Sequence, residues 1–440
     1  MTEGQPASGR WARFSVVAAT VLLIVSQVLI FSPGTDVSPY AFTTNPPLPR
    51  TYGGATVQVW AILLLLALCG ARFVFSSPRS ASSAYGWTVA AVVTVSAAGA
   101  VTSDNFPVFA EGVGKLVLPL LLFLCFTSLA GPGIDRTLTK LVIVVNLFTV
   151  GQAVLARALT GQFAANRYYI ELPQEYFGYF YHPFAFAGIL GACSIVLINE
   201  IRQRRHRFLM TLLVTTNVFF IFQSQVRTYI LATAISFIIS LIGLTVGRRS
   251  AKATFLIAGV LSLVALSIGS GLVAGSRNTS DASSGRLDRW ALDVSYTWDT
   301  ASVGQLLFGG GPGYISEINS RLFGVQINSL NALIDVFVDF GLIGLMLVVA
   351  AWATLLREHY LRAGNPLVLA VVTLLSVSAL VTSPIEFPAV AVMLVVAAWA
   401  ISRPPAAEDL SRPDEPVRSH AHVAGGSGHY RPQPGLRRHT

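Results

Sequence analysis

Charge is scarce along most of this chain. Asp, Glu, Lys and Arg make up 12% of its 440 residues, about half the share of an ordinary soluble domain, whereas 53% are hydrophobic. That shortage excludes a large water-facing domain. Cysteine is scarcer still. The three, Cys69, Cys125 and Cys193, all fall inside apolar runs, which excludes a disulfide framework and suits small core side chains. No motif calls for a cofactor and no grouping calls for a metal ion. The glycine-rich stretch FGGGPGY (308–314) lacks the Gly-Lys-Ser/Thr of a nucleotide-binding loop. The first apolar run has no convincing A-x-A cleavage site and reads as a span rather than a removed signal.

What the chain has in abundance is long apolar segments. Runs of roughly 17–25 residues are each long enough to cross a bilayer as a helix. Twelve are expected, near 14–31, 57–75, 84–102, 114–130, 138–156, 183–199, 208–223, 228–246, 253–274, 331–356, 366–382 and 387–401; eleven is the next count. The expected fold class is an all-α, polytopic integral membrane protein. Its membrane domain covers 1–402, with a large extracytoplasmic loop at 275–328 carrying an interfacial helix. Residues 403–440, polar and rich in proline and arginine, read as a disordered cytoplasmic tail.

The net charge of +9 is explained by topology and not by nucleic acid. With the N-terminus inside, fifteen basic residues up to the last span and six tail arginines are cytoplasmic, against nine outside. EIRQRRHR (200–207) and GRRSAK (247–252) are the strongest inside signals. Both termini are then cytoplasmic. Two aromatic-rich outside loops stand out, at 157–182, with Arg167 in NRYYIELPQEYFGYFYH, and at 275–328. Connections of that length are functional or disordered, and their aromatics argue against disorder.

Several residues in this outer region have the chemistry to hold an anion. Arg227 lies between two spans at the outer boundary, where an arginine is paired, snorkelling or holding an anion. In RLDRWALDVSYTW the residues Leu287, Trp290, Ala291, Val294 and Trp298 share one helical face. That face suits a helix lying in the interface, with Arg286 and Arg289 near headgroup depth. Arg286, after SSG, falls at the helix N-terminus, where a cation beside free N–H groups makes an anion site; a structural lid with solvated arginines is the other reading. The glycines of FGGGPGY turn the chain back and offer N–H groups to an anion. Pro312 biases Gly311 towards extended backbone, which leaves positive φ to the other glycines, Gly313 among them.

Five segments in this order resemble the O-antigen ligase/polymerase family of bacterial membrane glycosyltransferases: YHPFAFAGIL (181–190), QSQVRTYILA, SSGRLDRWAL, LLFGGGPGY and LNALIDVFVDFGLIGLML (330–347). The resemblance spans about 180–350. It implies ligation or polymerisation of glycans on a polyprenyl diphosphate at the outer face of the bacterial cytoplasmic membrane, without a nucleotide sugar. By position, Arg227 and Arg286 would hold the donor diphosphate, with Arg289, Arg167, Gly311, Gly313 and Asn331 as further substrate contacts. Where the family often has His-Asn, this chain has Leu330-Asn331. If the family histidine activates the acceptor, that role is vacant here or has moved to His182, Glu171, Glu175, Asp288 or Asp335. Expected partners are the glycan donor, a glycan or lipid-linked acceptor, membrane lipids and envelope-assembly proteins. A transporter of lipid-linked glycans, or a non-catalytic assembly subunit of the same fold, is the alternative.

Overall fold

The structure is a computed structural model of the chain. It describes residues 14, 17–18, 20–25, 84–98, 116–117, 120–121, 134–160, 180, 183–203, 206–224, 226–246, 286–323, 329, 331–355, 357, 366–382 and 388–402. The expected spans at 57–75 and 253–274, half of that at 14–31, most of that at 114–130, most of the 157–182 loop with Arg167 and His182, and the tail lie outside these residues. The chain divides into a unit of Met1–Arg403 and a second of Pro404–Thr440.

Among the described residues every regular element is a helix and no strand occurs. The elements are α1 (Ala84–Ala98), α2 (Ile134–Thr160), α3 (Pro183–Arg202), α4 (Arg207–Gln223), α5 (Arg227–Val246), α6 (Arg286–Thr300), α7 (Val303–Phe308), α8 (Tyr314–Phe323), α9 (Ala332–Leu355), α10 (Pro366–Thr382) and α11 (Pro388–Ser402). Three stretches, Arg136–Leu159, Pro183–Arg202 and Ala332–Thr354, are long and apolar enough to cross a membrane. Five shorter apolar helices accompany them. Prolines open α3, α10 and α11, where a missing N–H costs nothing and the fixed φ suits the first turn.

The centre of the bundle is α3, which packs against α2, α4, α5, α10 and α11. It is apolar around its whole circumference and almost entirely buried, as a helix enclosed by other helices should be. Two glycines let neighbours approach. A Cβ at Gly188 would lie 2.7 Å from Val390 and 2.9 Å from the ring of Tyr229, and one at Gly191 would lie 3.1 Å from Thr233. Small residues at such crossings are the usual way for membrane helices to gain close contact. Phe186 sits edge-on to Phe180 and Phe220, at 5.6 and 5.9 Å. Cys193 is buried here, with its thiol directed at the carbonyl of Val142.

Several polar side chains in this core bond to their own helix backbone or to a neighbouring helix. Ser194, Ser236, Ser240 and Ser378 each donate to the carbonyl four residues back. Asn217 of α4 donates through Nδ2 to Asn146 of α2 at 2.6 Å and to Ser194 of α3 at 3.0 Å. Those two bonds tie three helices together where no water is at hand to compete.

One expected span differs in form. The 331–356 segment reads as a single helix, but α9 is broken at Gly341, whose φ of 69° and ψ of −174° are not helical. The cause is a tertiary contact. A Cβ at Gly341 would fall on the backbone carbonyl of Leu307, so α7 approaches α9 backbone to backbone at this point.

Candidate functional site

The segment from α6 to α8 rests on the N-terminal half of α9, and its local sequence explains how. Ser302 caps α7 in a capping box. Its Oγ receives the N–H of Gln305 at 3.2 Å, and the Gln305 side chain receives the N–H of Ser302 at 3.0 Å. Gly309 then leaves the helix at φ 86°. A Cβ there would fall on the carbonyl of Asp339, so only glycine fits.

The turn is fastened to α9 by four hydrogen bonds. Gly310 and Gly311 donate to the carbonyls of Val338 and Asp339, both at 3.0 Å. Gly313 donates to Asp339 Oδ2 at 2.9 Å, and Ile315 to Oδ1 at 3.0 Å. The break at Gly341 interrupts the helical ladder where the carbonyls of Val338 and Asp339 receive the turn. The Asp339 carboxylate closes the N-terminus of α8, where free N–H groups and the helix dipole favour a negative charge. The turn was expected to offer its N–H groups to an anion; in the structure those of Gly310 and Gly311 go to backbone carbonyls and that of Gly313 to the side chain of Asp339.

Gly311 corrects a second expectation. It lies directly before Pro312, yet its φ is 95°. The pre-proline clash excludes helical backbone, and glycine, having no Cβ, can avoid it on the positive side. Gly313 is also positive, at 87°.

The start of α9 forms a second polar joint. Asn331 is its N-cap, with Oδ1 receiving the N–H of Leu333 at 3.0 Å and of Ile334 at 3.3 Å. Asp335 Oδ1 receives the N–H of Ser329 at 2.9 Å and its hydroxyl at 2.6 Å. Trp290 of α6 donates through Nε1 to the carbonyl of Ser329 at 2.7 Å. Asn331 and Asp335 thus serve the backbone at a joint between α6 and α9. Trp290 was expected on the outward apolar face of α6 and instead turns inward to make this bond.

Behind Trp290 lies a charged pair. Arg289 approaches Asp293 with Nε 4.0 Å from Oδ2, and its guanidinium lies 5.7 Å from the centre of the Phe323 ring of α8. Asp293 is 0% exposed. Burial pushes its carboxyl up to about 6, the Arg289 charge pulls against that, Asp335 adds to it, and the Asn319 amide lowers it. Asp293, Asn319, Ser329, Phe323 and the clamping role of Asp339 were not singled out from sequence. The signal available was the spacing of Arg289, Asp293 and Thr297, four residues apart on one face of α6.

Arg289, Gly311, Gly313, Asn331 and Asp335 therefore belong to one assembly on α9. Arg286 is the first residue of α6 and Arg227 the first residue of α5, as expected, though their side chains lie outside the described set. α5 itself packs against α10. His182 and Arg167 lie outside the described residues. A comparison with protein-family models finds no match, and no curated protein matches the chain.

Proposed function

We propose that this chain is a multi-pass glycosyltransferase of the bacterial cytoplasmic membrane, with about twelve spans and both termini cytoplasmic. It polymerises or ligates glycans carried on a polyprenyl diphosphate at the outer face. The observation that carries this reading is the placement of cations on α6. Arg286 opens that helix, and Arg289 follows three residues later, held beside Asp293 and the Phe323 ring. The helix is bonded through Trp290 to the carbonyl of Ser329, just before a membrane-length helix. A diphosphate leaving group at headgroup depth needs guanidinium forks fixed in such a place. They stabilise the charge that develops as the glycosidic C–O bond breaks. Arg227 at the start of α5 is assigned to the same diphosphate, and Arg289 and Asn331 to the donor's surroundings. The resemblance of the five ordered segments to O-antigen ligases and polymerases supports the same chemistry.

The test is reconstitution in liposomes with a polyprenyl-diphosphate-linked glycan and measurement of polymer formed. Arg227→Ala and Arg286→Ala are expected to lower the rate roughly 10²–10³-fold without loss of insertion. Lysine should rescue poorly, because an ammonium is a point charge and not a fork. Wild-type polymer from both alanine variants would overturn the diphosphate role. Movement of the intact donor across the bilayer, with no new glycosidic bond, would favour a transporter.

A further inference from the structure

Helix α6 buries two polar side chains and exposes large apolar ones, alongside exposed Asp288, Ser295 and Asp299. Asp293 and Thr297 are buried against the rest of the chain, whereas Leu292 and Trp298 face outward, the latter 65% exposed. The outward face continues onto α7 through Val303, Leu307 and Phe308, all exposed. Exposed apolar side chains that run on from one helix to the next mark a surface covered by something other than water.

The length of α9 indicates what covers it. Fifteen uncharged residues separate Gly341 from Arg357. As a helix they reach about 22 Å, short of the roughly 30 Å hydrocarbon layer. The layer must therefore extend past Gly341 towards Ala332. Yet α7 and the glycine turn sit level with Val338–Gly341, against which Leu307, Gly309, Gly310 and Gly311 pack. Beyond the break, α9 itself exposes Leu342, Met346 and Val349.

The hydrogen bonding of the turn fits such a depth. Irregular backbone survives at membrane level only where its polar groups are satisfied within the protein. From Gly309 to Glu317 every N–H has an internal acceptor. Gly309 donates to Gln305; Gly310, Gly311, Gly313 and Ile315 donate to Val338 and Asp339; Tyr314 donates to Gly311; and Ser316 and Glu317 donate to Gly313. Pro312 has no N–H to satisfy.

We infer that α7 and the 309–313 turn are sunk into the acyl chains of the leaflet at the α9 N-terminal end, with the outward face of α6 lying on that leaflet. The occupant of the apolar face is lipid hydrocarbon. This inference rests on the membrane character of α9 and not on the glycosyltransferase reading, and its test needs no activity.

The full chain, with its three cysteines replaced by alanine, would carry a nitroxide at Phe308→Cys, Met346→Cys or Glu317→Cys. Each variant is placed in phosphatidylethanolamine–phosphatidylglycerol liposomes. The label at 308 should collide readily with oxygen and rarely with a water-soluble nickel chelate, matching 346 and opposite to 317. A label at 308 behaving like that at 317 would overturn the inference. So would protection from both reagents that disappears on dilution in lipid, which would mean a second copy of this chain covers the face. Independently, brominated acyl chains should quench wild-type tryptophan emission more than that of Trp298→Phe; equal quenching would count against immersion of α6.

Discussion

Helix α3 and the 286–323 segment bury different mixtures of surface. α3 turns alanine, isoleucine, leucine and valine inward on all sides, and its fit is a matter of volume. The 286–323 segment turns Asp293, Thr297 and Asn319 inward beside Ile315 and Ile318, and leaves Trp298, Val303 and Phe308 outside. Its fit is a matter of pairing donors with acceptors. The difference teaches that one chain can hold two interiors with different rules. A volume error in the first can be absorbed by side chains that shift. A backbone error in the second cannot, because the partner is the main chain itself.

The largest effect should follow from Gly309→Ala or Gly341→Ala. In each case the added methyl falls on a carbonyl, of Asp339 or of Leu307. Overpacking against groups that cannot rotate away should cost roughly 3 kcal/mol or more. The thermal midpoint in detergent should fall, and the 303–317 region should become protease-sensitive. Gly188→Ala in the core should cost less, about 1–2 kcal/mol, because Val390 Cγ1 and the Tyr229 ring are ends of side chains that can move. If Gly188→Ala proves the more damaging of the two kinds, as judged by thermal midpoints, the distinction between the two interiors is wrong.

A smaller, pH-dependent effect is expected at Asp293. Its carboxyl is pushed up to about 6 by burial, against the pull of Arg289 and with a further push from Asp335. An unfolded aspartate titrates near 4, so between roughly pH 4 and 6 the folded chain holds a proton the unfolded chain has released. Packing of α6 should therefore strengthen as pH falls through that window and weaken as pH rises through about 6. The opening equilibrium can change by at most about tenfold per pH unit for one proton. Exchange of the 286–300 amides, corrected for the intrinsic rate, should show that slope in wild type and a flat line in Asp293→Asn. Equal slopes would remove Asp293 from the joint.

The smallest effect belongs to Gly311. Nothing lies within 4 Å of a Cβ there, and only its φ of 95° opposes a side chain. Gly311→Ala should cost on the order of 1 kcal/mol, readable as a small shift in midpoint. A cost equal to that of Gly309→Ala would mean the turn tolerates no change anywhere.

How much of this was legible in the sequence follows the same division. Apolar runs gave α3, α4, α5, α10 and α11 to within a few residues, because an enclosed or lipid-facing helix writes its length in its composition. The helical start at Arg286 followed from SSG and the periodicity of RLDRWALDVSYTW. The break in α9 was not legible, since DFGLIGL carries two glycines and only the approach of Leu307 selects Gly341. The clamp was not legible either. Asp339 lies 26 residues from the Gly313 N–H it receives, and no local pattern joins a turn to a carboxylate at that distance. Asn331 as an N-cap is the partial case, for its residue type suits a cap, but the position had drawn attention for the histidine missing before it. Asp293 was overlooked because a polar stripe is ordinarily the wet side of a helix, and here it is the dry one.

The account turns on the clamp, since the same carboxylate holds the glycine turn, closes α8 and fastens to α9 the segment that carries Arg289. Amide hydrogen exchange of the 309–317 peptide, in wild type and in Asp339→Ala, tests it directly. The account predicts slow exchange in wild type and a rise of at least about tenfold in Asp339→Ala, each lost charge-assisted bond contributing roughly 1.5 kcal/mol or more. The 183–202 peptide of α3 should not change. Fast exchange of 309–317 in wild type, or the same slow exchange in both proteins, would contradict it.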